Sequence, residues 1–349
     1  MIAIDSFSPF LKAYFITLVG VIGLVFGSFL NVVALRLLSG ESIVFPGSKC
    51  PKCQNHIAWY DNLPVLSYLL LMGKCRHCKT HISVQYPIVE AFTALSFIGV
   101  FIFYGFSLKT LFLFVLCFAL IVITITDLKE KSIFDITSIP LIPLGLLYNF
   151  FDIGNTHSQV VHIPLMGINY TLSLNEVFIS AIVGAIIGAA FFEIFSRLGL
   201  LLVGQYAFGG GDTVIGAALG AWFGWKMIIV ILALSFVFQL IVGIPVILMN
   251  MYKDKDYKSI IFTIIMVSSI FIPKIGQYFG FTNNLAGALF ILILAFSFAI
   301  SGMFVILSRA RERQSFTFLP FGPALVFGGF IVMFWGPALT HIIGYQFLQ

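Results

Sequence analysis

Ten apolar runs, with almost no charge inside them, dictate most of what this chain can become. They fall at about 11–35, 87–106, 109–126, 136–151, 177–202, 213–224, 226–249, 259–273, 284–308 and 321–345. A helix needs about 20 apolar residues to cross the hydrocarbon of a bilayer. Most of the runs reach that length, while 213–224 and 259–273 fall short. Only 9% of the 349 residues are charged, against about a quarter in an ordinary soluble domain. Lipid offers no partner to free backbone N–H and C=O groups, so each crossing must be helical. The expected fold is an all-α polytopic membrane protein with about eight to ten transmembrane helices. The first run is longer than a signal-peptide core and lacks a small-residue cleavage site, so it reads as a retained helix.

Lys and Arg set the orientation. Placing 36–86 in the cytoplasm and alternating the spans leaves only Lys12, Lys109, Lys226 and Lys274 outside, four of 19, with fifteen inside. The outer segment 152–176 has no Lys or Arg. The net charge of +5 is therefore a matter of membrane sidedness and no footprint of a nucleic-acid partner. A multi-pass membrane protein is expected, in contact with the lipid bilayer and with its 36–86 segment facing the cytoplasm.

Most of the hydrophilic sequence is concentrated at 39–84. It holds Cys50-x2-Cys53 and, after 21 intervening residues, Cys75-x2-Cys78. Each two-residue gap lets the chain turn back and offer two thiolates to one tetrahedral ion, and two such knuckles close the site. A structural zinc is expected, because disulfides do not persist on a cytoplasmic face. A loop of this size buries little core, and a metal that binds only its folded form stabilises it. Cys117 lies alone in a span and reads as packing.

Two carboxylates stand apart from the remaining acids. Asp127 closes the third span in ITDLKEKSIFD, and Asp212 opens the sixth in AFGGGDTVIGAALGAWFG. Charge counting puts both at one membrane depth on the cytoplasmic side. An Asp beside a helix is often only a cap, and Asp135 fits that reading. Two carboxylates sharing a proton, however, supply the base and the acid that peptide hydrolysis needs. Helix polarity suggests unequal roles, with Asp212 the ionised base and Asp127 the protonated partner. Gly209, Gly210 and Gly211 remove side-chain bulk where a substrate backbone could approach. Gly216, Gly220 and Gly224 suit close helix packing.

Together these pieces resemble the bacterial type IV prepilin peptidases, a GxGD-type family of aspartic membrane proteases. The resemblance runs in order through GSFLNVVALRL at 27–37, the cysteine loop, YPIVEA at 86–91, ITDLKEKSIFD at 125–135, FGGGDTVIGAALGAWFG at 208–224 and PFGPALVFGG at 320–329. It implies that Asp127 and Asp212 are the catalytic pair. It implies prepilins and pseudopilins of type IV pilus or type II secretion systems as substrates, their short basic leaders being removed at the cytoplasmic face. It also implies N-methylation of the new terminus from S-adenosylmethionine, associated with the cysteine loop. Asn31, Arg36, Asn62, Tyr86 and Glu90 lie in matching blocks and are candidates for that second activity. The implied division is 1–38 as the first helix, 39–85 as the zinc loop and 86–349 as the peptidase core, with an apparent insertion at about 250–308. Where the family commonly has Leu-Pro-Asp, this chain has Ile133-Phe134-Asp135. Two other readings share some of these features: a presenilin-like intramembrane protease, and a transporter with a zinc-stabilised cap.

Overall fold

A computed structural model describes residues 7–45, 47–151, 158–165, 168–253 and 320–347, with a few more between 255 and 264. Helices cover eight of the ten apolar runs. The other two, at 259–273 and 284–308, and with them most of the apparent insertion, fall almost wholly outside the described residues. Five of the described helices are long and apolar enough to cross a membrane. The multi-pass helical architecture expected from the sequence is therefore present.

The chain forms two compact units. The larger comprises Met1–Glu193, Phe208–Ser235 and Pro320–Gln349, and it carries every candidate site residue. The smaller comprises Ile194–Ala207 and Phe236–Leu319; within it Gly199 lies against Ala207.

In the larger unit, α1 (Pro9–Ser39) opens on a Ser8 cap whose hydroxyl accepts from the Leu11 N–H, and it stops where Gly40 turns left-handed. Its partner is α3 (Gln85–Tyr104). The two approach closely because a Cβ at Gly23 would meet the Ala94 Cα at 2.6 Å, and one at Gly27 the Glu90 Cα at 2.6 Å. Between them come a 3-10 turn at Trp59–Asn62 and the short α2 (Leu66–Leu70). Helix α4 (Leu108–Glu130) packs on α1 and α3 and has the most buried positions of the three, with Leu116, Cys117, Val122 and Ile123 fully enclosed. The buried Cys117 agrees with a packing role.

Helices α5 (Asp135–Ser138) and α6 (Leu141–Phe150) lead to a two-stranded antiparallel hairpin, β1 (Ser158–Leu165) paired with β2 (Ile168–Asn175). The hairpin is a departure from the otherwise helical architecture and occupies the segment that contains no Lys or Arg.

Helix α7 (Glu176–Val203) and helix α8 (Gly210–Lys253) meet along glycines. Gly184 and Gly188 on α7 face Gly220 and Gly216 on α8, and a Cβ at any of the four would strike atoms of the facing helix. Small residues at i and i+4 on both partners allow this backbone-to-backbone approach.

Helix α8 consists of two helical segments that meet at a kink. Gly224 sits at φ 78° and ψ 173°, a conformation open to glycine. On α9 (Gly322–Phe347), Gly328 faces Ile231 and Ser235, while the adjacent Gly329 faces Leu219. In a straight helix Leu219 and Ile231 would be about 18 Å apart at 1.5 Å per residue. Neighbouring residues of α9 can touch both only if the chain doubles back at Gly224. The short run 213–224 and the run after it are thus two arms of a helical hairpin, as alternating spans require. Asn149, Glu176, Gly224 and Trp225 line a shared cavity of ≈ 550 Å³, which places the vertex at the end of α6 and the start of α7.

Candidate active site

Asp127 occupies the last turn of α4. The helix ends when Lys131 adopts φ 51° and donates its N–H to the Asp127 carbonyl at 2.9 Å. The Asp127 side chain is buried, and its Oδ2 accepts from the Gly322 N–H at 2.9 Å.

Asp212 lies in the first turn of α8, three residues after Gly209. It is not the N-cap: its Oδ2 reaches back to accept from the Gly209 N–H at 3.1 Å, and its own N–H donates to the Gly209 carbonyl at 3.1 Å. That is the N3 half of a capping box, since Gly209 has no side chain to bond in return. Its other oxygen, Oδ1, is buried with no hydrogen-bond partner among the described residues. Capping therefore uses one oxygen of Asp212 and leaves the second able to take a proton from an incoming group. The two carboxylates are close enough for their charges to act on each other.

Packing around the pair ties four elements together. Phe208, next to Gly209, stacks edge-on with Phe321, next to Gly322, at 5.3 Å between ring centroids. Phe192 of α7 contacts both, at 5.1 and 5.7 Å. The glycines before Asp212 differ in surroundings. A Cβ at Gly210 would meet nothing within 4 Å among the described residues, and one at Gly209 only the Asp212 Oδ2 at 3.7 Å. Gly211 is different, because a Cβ there would meet the Ile133 Cβ at 2.6 Å. Gly211 thus lets the turn after Asp127 lie against the start of α8, and open backbone is found at Gly209 and Gly210.

The four cysteines converge as their spacing predicts. Their Sγ atoms all lie within 4.8 Å of one another, and Cys50 to Cys78 is 3.8 Å. Tetrahedral ligands at about 2.3 Å from a zinc would stand about 3.8 Å apart, so the thiols fit a metal and are far too distant for disulfides. The two knuckles are built alike. Cys50 donates its N–H to the Asn55 carbonyl and accepts at its own carbonyl from Gln54; Cys75 does the same with Thr80 and Lys79. Gln54 and Lys79 both turn left-handed, at φ 59° and 57°. Backbone N–H groups of Cys53 and Lys52 directed at the Cys50 sulfur lower its thiol to about 6, and those of Cys78 and His77 lower that of Cys75. Such N–H bonds favour the thiolate that a metal binds. The second knuckle is fastened to the 3-10 turn by Arg76, whose Nε and Nη2 grip Asp61 at 2.8 and 2.6 Å.

Residues in the other family-like blocks fasten the loop to the helices. Asn31 is buried and donates to the carbonyls of Gly27 and Tyr86, both at 3.3 Å. Arg36 donates to the carbonyls of Ser42 and Ile43. Glu90 accepts from the Val65 N–H at 2.7 Å, and Val65 sits at φ 58°, a costly backbone for a β-branched residue. Gly322 is the contact that sequence reasoning passed over. Its signal was the PFGPALVFGG block, to which no chemistry had been attached.

Fold and site together define a polytopic membrane protein with paired, buried carboxylates at one end of a helical bundle. Comparison with known proteins narrows this. The family description "Bacterial Peptidase A24 N-terminal domain" matches residues 21–104, and "Type IV leader peptidase family" matches 114–244. A prepilin leader peptidase/N-methyltransferase of Pseudomonas putida is 35% identical over 254 residues, covering 66% of this chain and 81% of the relative. One from Neisseria gonorrhoeae is 34% identical over 271 residues, 71% of this chain and 86% of the relative. One from Pseudomonas aeruginosa is 28% identical over 343 residues, 92% and 90%. No solved structure matches. The chain belongs to the type IV leader peptidase family.

Proposed function

We propose that this chain removes the short basic leaders of type IV prepilins and pseudopilins at the cytoplasmic face of the bacterial inner membrane, and then N-methylates the new terminus. The observation that carries the proposal is that the anchors of the buried Asp127 and Asp212 meet, Phe321 beside Gly322 packing on Phe208 beside Gly209, in a chain whose relatives are named prepilin leader peptidase/N-methyltransferase. Neither alternative, presenilin-like protease or capped transporter, is favoured by those relatives.

In the proposed hydrolysis Asp212 takes a proton from a water whose oxygen attacks the scissile carbonyl, and Asp127 donates its proton to the carbonyl oxygen. As the C–N bond breaks, Asp212 passes its proton to the departing nitrogen and a hydroxyl of the intermediate returns one to Asp127. The products are a leader carboxylate and a pilin amine. Gly209 and Gly210 give the substrate backbone room beside Asp212. Cys50, Cys53, Cys75 and Cys78 would hold a structural zinc, which stiffens the loop at 39–85. S-adenosylmethionine supplies the methyl group for the second activity. The division into 1–38, 39–85 and 86–349, with added sequence at about 250–308, belongs to the same proposal.

Purified protein, a prepilin and methyl-labelled S-adenosylmethionine test it together. A shortened pilin that carries label is expected. An uncut prepilin would refute the peptidase reading, and a shortened but unlabelled pilin would refute the methylation.

A further inference from the structure

We infer that Gly322 is a positioning residue for Asp127, through a backbone N–H that holds the carboxylate and a missing Cβ that leaves room for it. The inference rests on the assignment of Asp127 to the peptidase reaction.

The sequence around it is Pro320-Phe321-Gly322-Pro323. Gly322 begins α9, where N–H groups have no partner within the helix. Pro323 has none to offer. Those of Ala324 and Leu325 are turned back to the Phe321 carbonyl, at 3.0 and 3.1 Å. The Gly322 N–H alone among these is spent on Asp127 Oδ2, at 2.9 Å. This bond crosses 195 positions of sequence.

The second observation is independent of the bond. A Cβ at Gly322 would stand 2.5 Å from Asp127 Oδ2, 3.1 Å from Cγ and 3.5 Å from Cβ. Carbon-to-oxygen contacts are ordinarily about 3.3–3.6 Å, so alanine here displaces the carboxylate by about 1 Å or breaks the bond. Gly322 does not float freely. Phe321 is wedged between Phe192 and Phe208, so the donor is registered against the Gly209 turn that holds Asp212. One glycine thus fixes which oxygen of Asp127 is engaged and leaves Oδ1 outside that bond. Among the described residues, the charged group acting on Asp127 is Lys131, one turn along its own chain, and Asp127 in turn acts on Asp212.

The test compares Gly322→Ala with Gly336→Ala in the full-length protein. Gly336 is on the same helix, but among the described residues a Cβ there would meet only Val332, at an ordinary 3.7 Å. Prepilin cleavage is followed for kcat, KM and pH profile, with thermal unfolding in detergent run on each protein. For Gly322→Ala the expected result is a fall in kcat of about 100-fold, the order expected for a 1 Å misplacement. KM should stay within about threefold and the pH–rate profile should move by half a unit or more. Gly336→Ala should match the wild type. A Gly322→Ala protein with wild-type kcat and pH profile overturns the inference. So does one whose loss of activity is matched by its loss of folded protein, the folded fraction keeping normal kcat and pH profile. Asp127→Asn, run alongside, separates the two claims: if it cleaves normally, the catalytic assignment itself has failed. If it is inactive while Gly322→Ala is unaffected, only the positioning role has failed.

Discussion

Gly188→Ala should slow catalysis as well as destabilise the fold, although Gly188 touches neither aspartate. A Cβ at Gly188 would collide with the Gly216 carbonyl, standing 2.5 Å from its carbon and 3.2 Å from the Ala217 nitrogen. Carbon atoms rest at about 3.5–4.0 Å. The obstacle is backbone, which has no rotamer to change, so α7 and α8 must part by about 1 Å. Overpacking of this kind costs about 1–3 kcal/mol of stability. Asp212 is four residues before Gly216, about 6 Å along the same helix, so the displacement reaches its carboxylate largely undamped. Misplacement by about 1 Å costs about 100-fold in rate, or about 2.7 kcal/mol in the barrier. The assay is prepilin cleavage under saturating substrate, with thermal unfolding in parallel. Gly184→Ala, facing Gly220 one turn further from Asp212, should destabilise comparably but slow cleavage less. A Gly188→Ala protein that melts like the wild type and cleaves within about twofold of its rate would refute the account of the seam.

Three further outcomes follow from the loop and from α6. Metal analysis should find one zinc per chain, lost in Cys53→Ser or on chelation, with methylation suffering more than cleavage. Because Cys50 is lowered to about 6, it is largely a thiolate at pH 7.5, where a thiol at the ordinary value of 9.0 still holds its proton. Zinc binding at pH 7.5 should therefore release fewer than four protons, a count that calorimetry in buffers of different ionisation enthalpy gives directly. Asn149 joins α6 to α8 by donating to the Ala221 and Trp222 carbonyls at 2.8 and 3.1 Å. Asn149→Leu removes these bonds within a buried site and should lower stability by about 1–3 kcal/mol, seen as a lower melting temperature with Trp222 fluorescence as the probe.

The helical runs and the cysteine quartet were legible because each obeys a local rule: span length in one case, two-residue spacing in the other. Asp127 and Asp212 were legible as helix-end acids in unusual settings. Their partners were not. Gly216, Gly220 and Gly224 read alike in sequence, yet two line a seam and the third turns the chain around. The difference depends on Gly184 and Gly188 on another helix and on a positive φ that composition does not reveal. Gly211 looked like its two neighbours until Ile133 was seen against it. The hairpin at 158–175 did leave a trace, since Ile168, Tyr170, Leu172 and Leu174 alternate with polar residues in the manner of a strand. Asn31, Arg36 and Glu90 stood in blocks associated with methylation; the structure gives them bonds that anchor the loop. Gly322 needed the fold, because nothing local connects it to an acid 195 residues away.

The most direct measurement is cleavage of a prepilin by Asp127→Asn and Asp212→Asn proteins, each shown to be folded, alongside methylation of a pre-cleaved pilin. Both variants should leave the leader uncut while still transferring labelled methyl to the pre-cleaved amine, since the cysteine loop is untouched. Normal cleavage by either variant would contradict the assignment of the paired carboxylates.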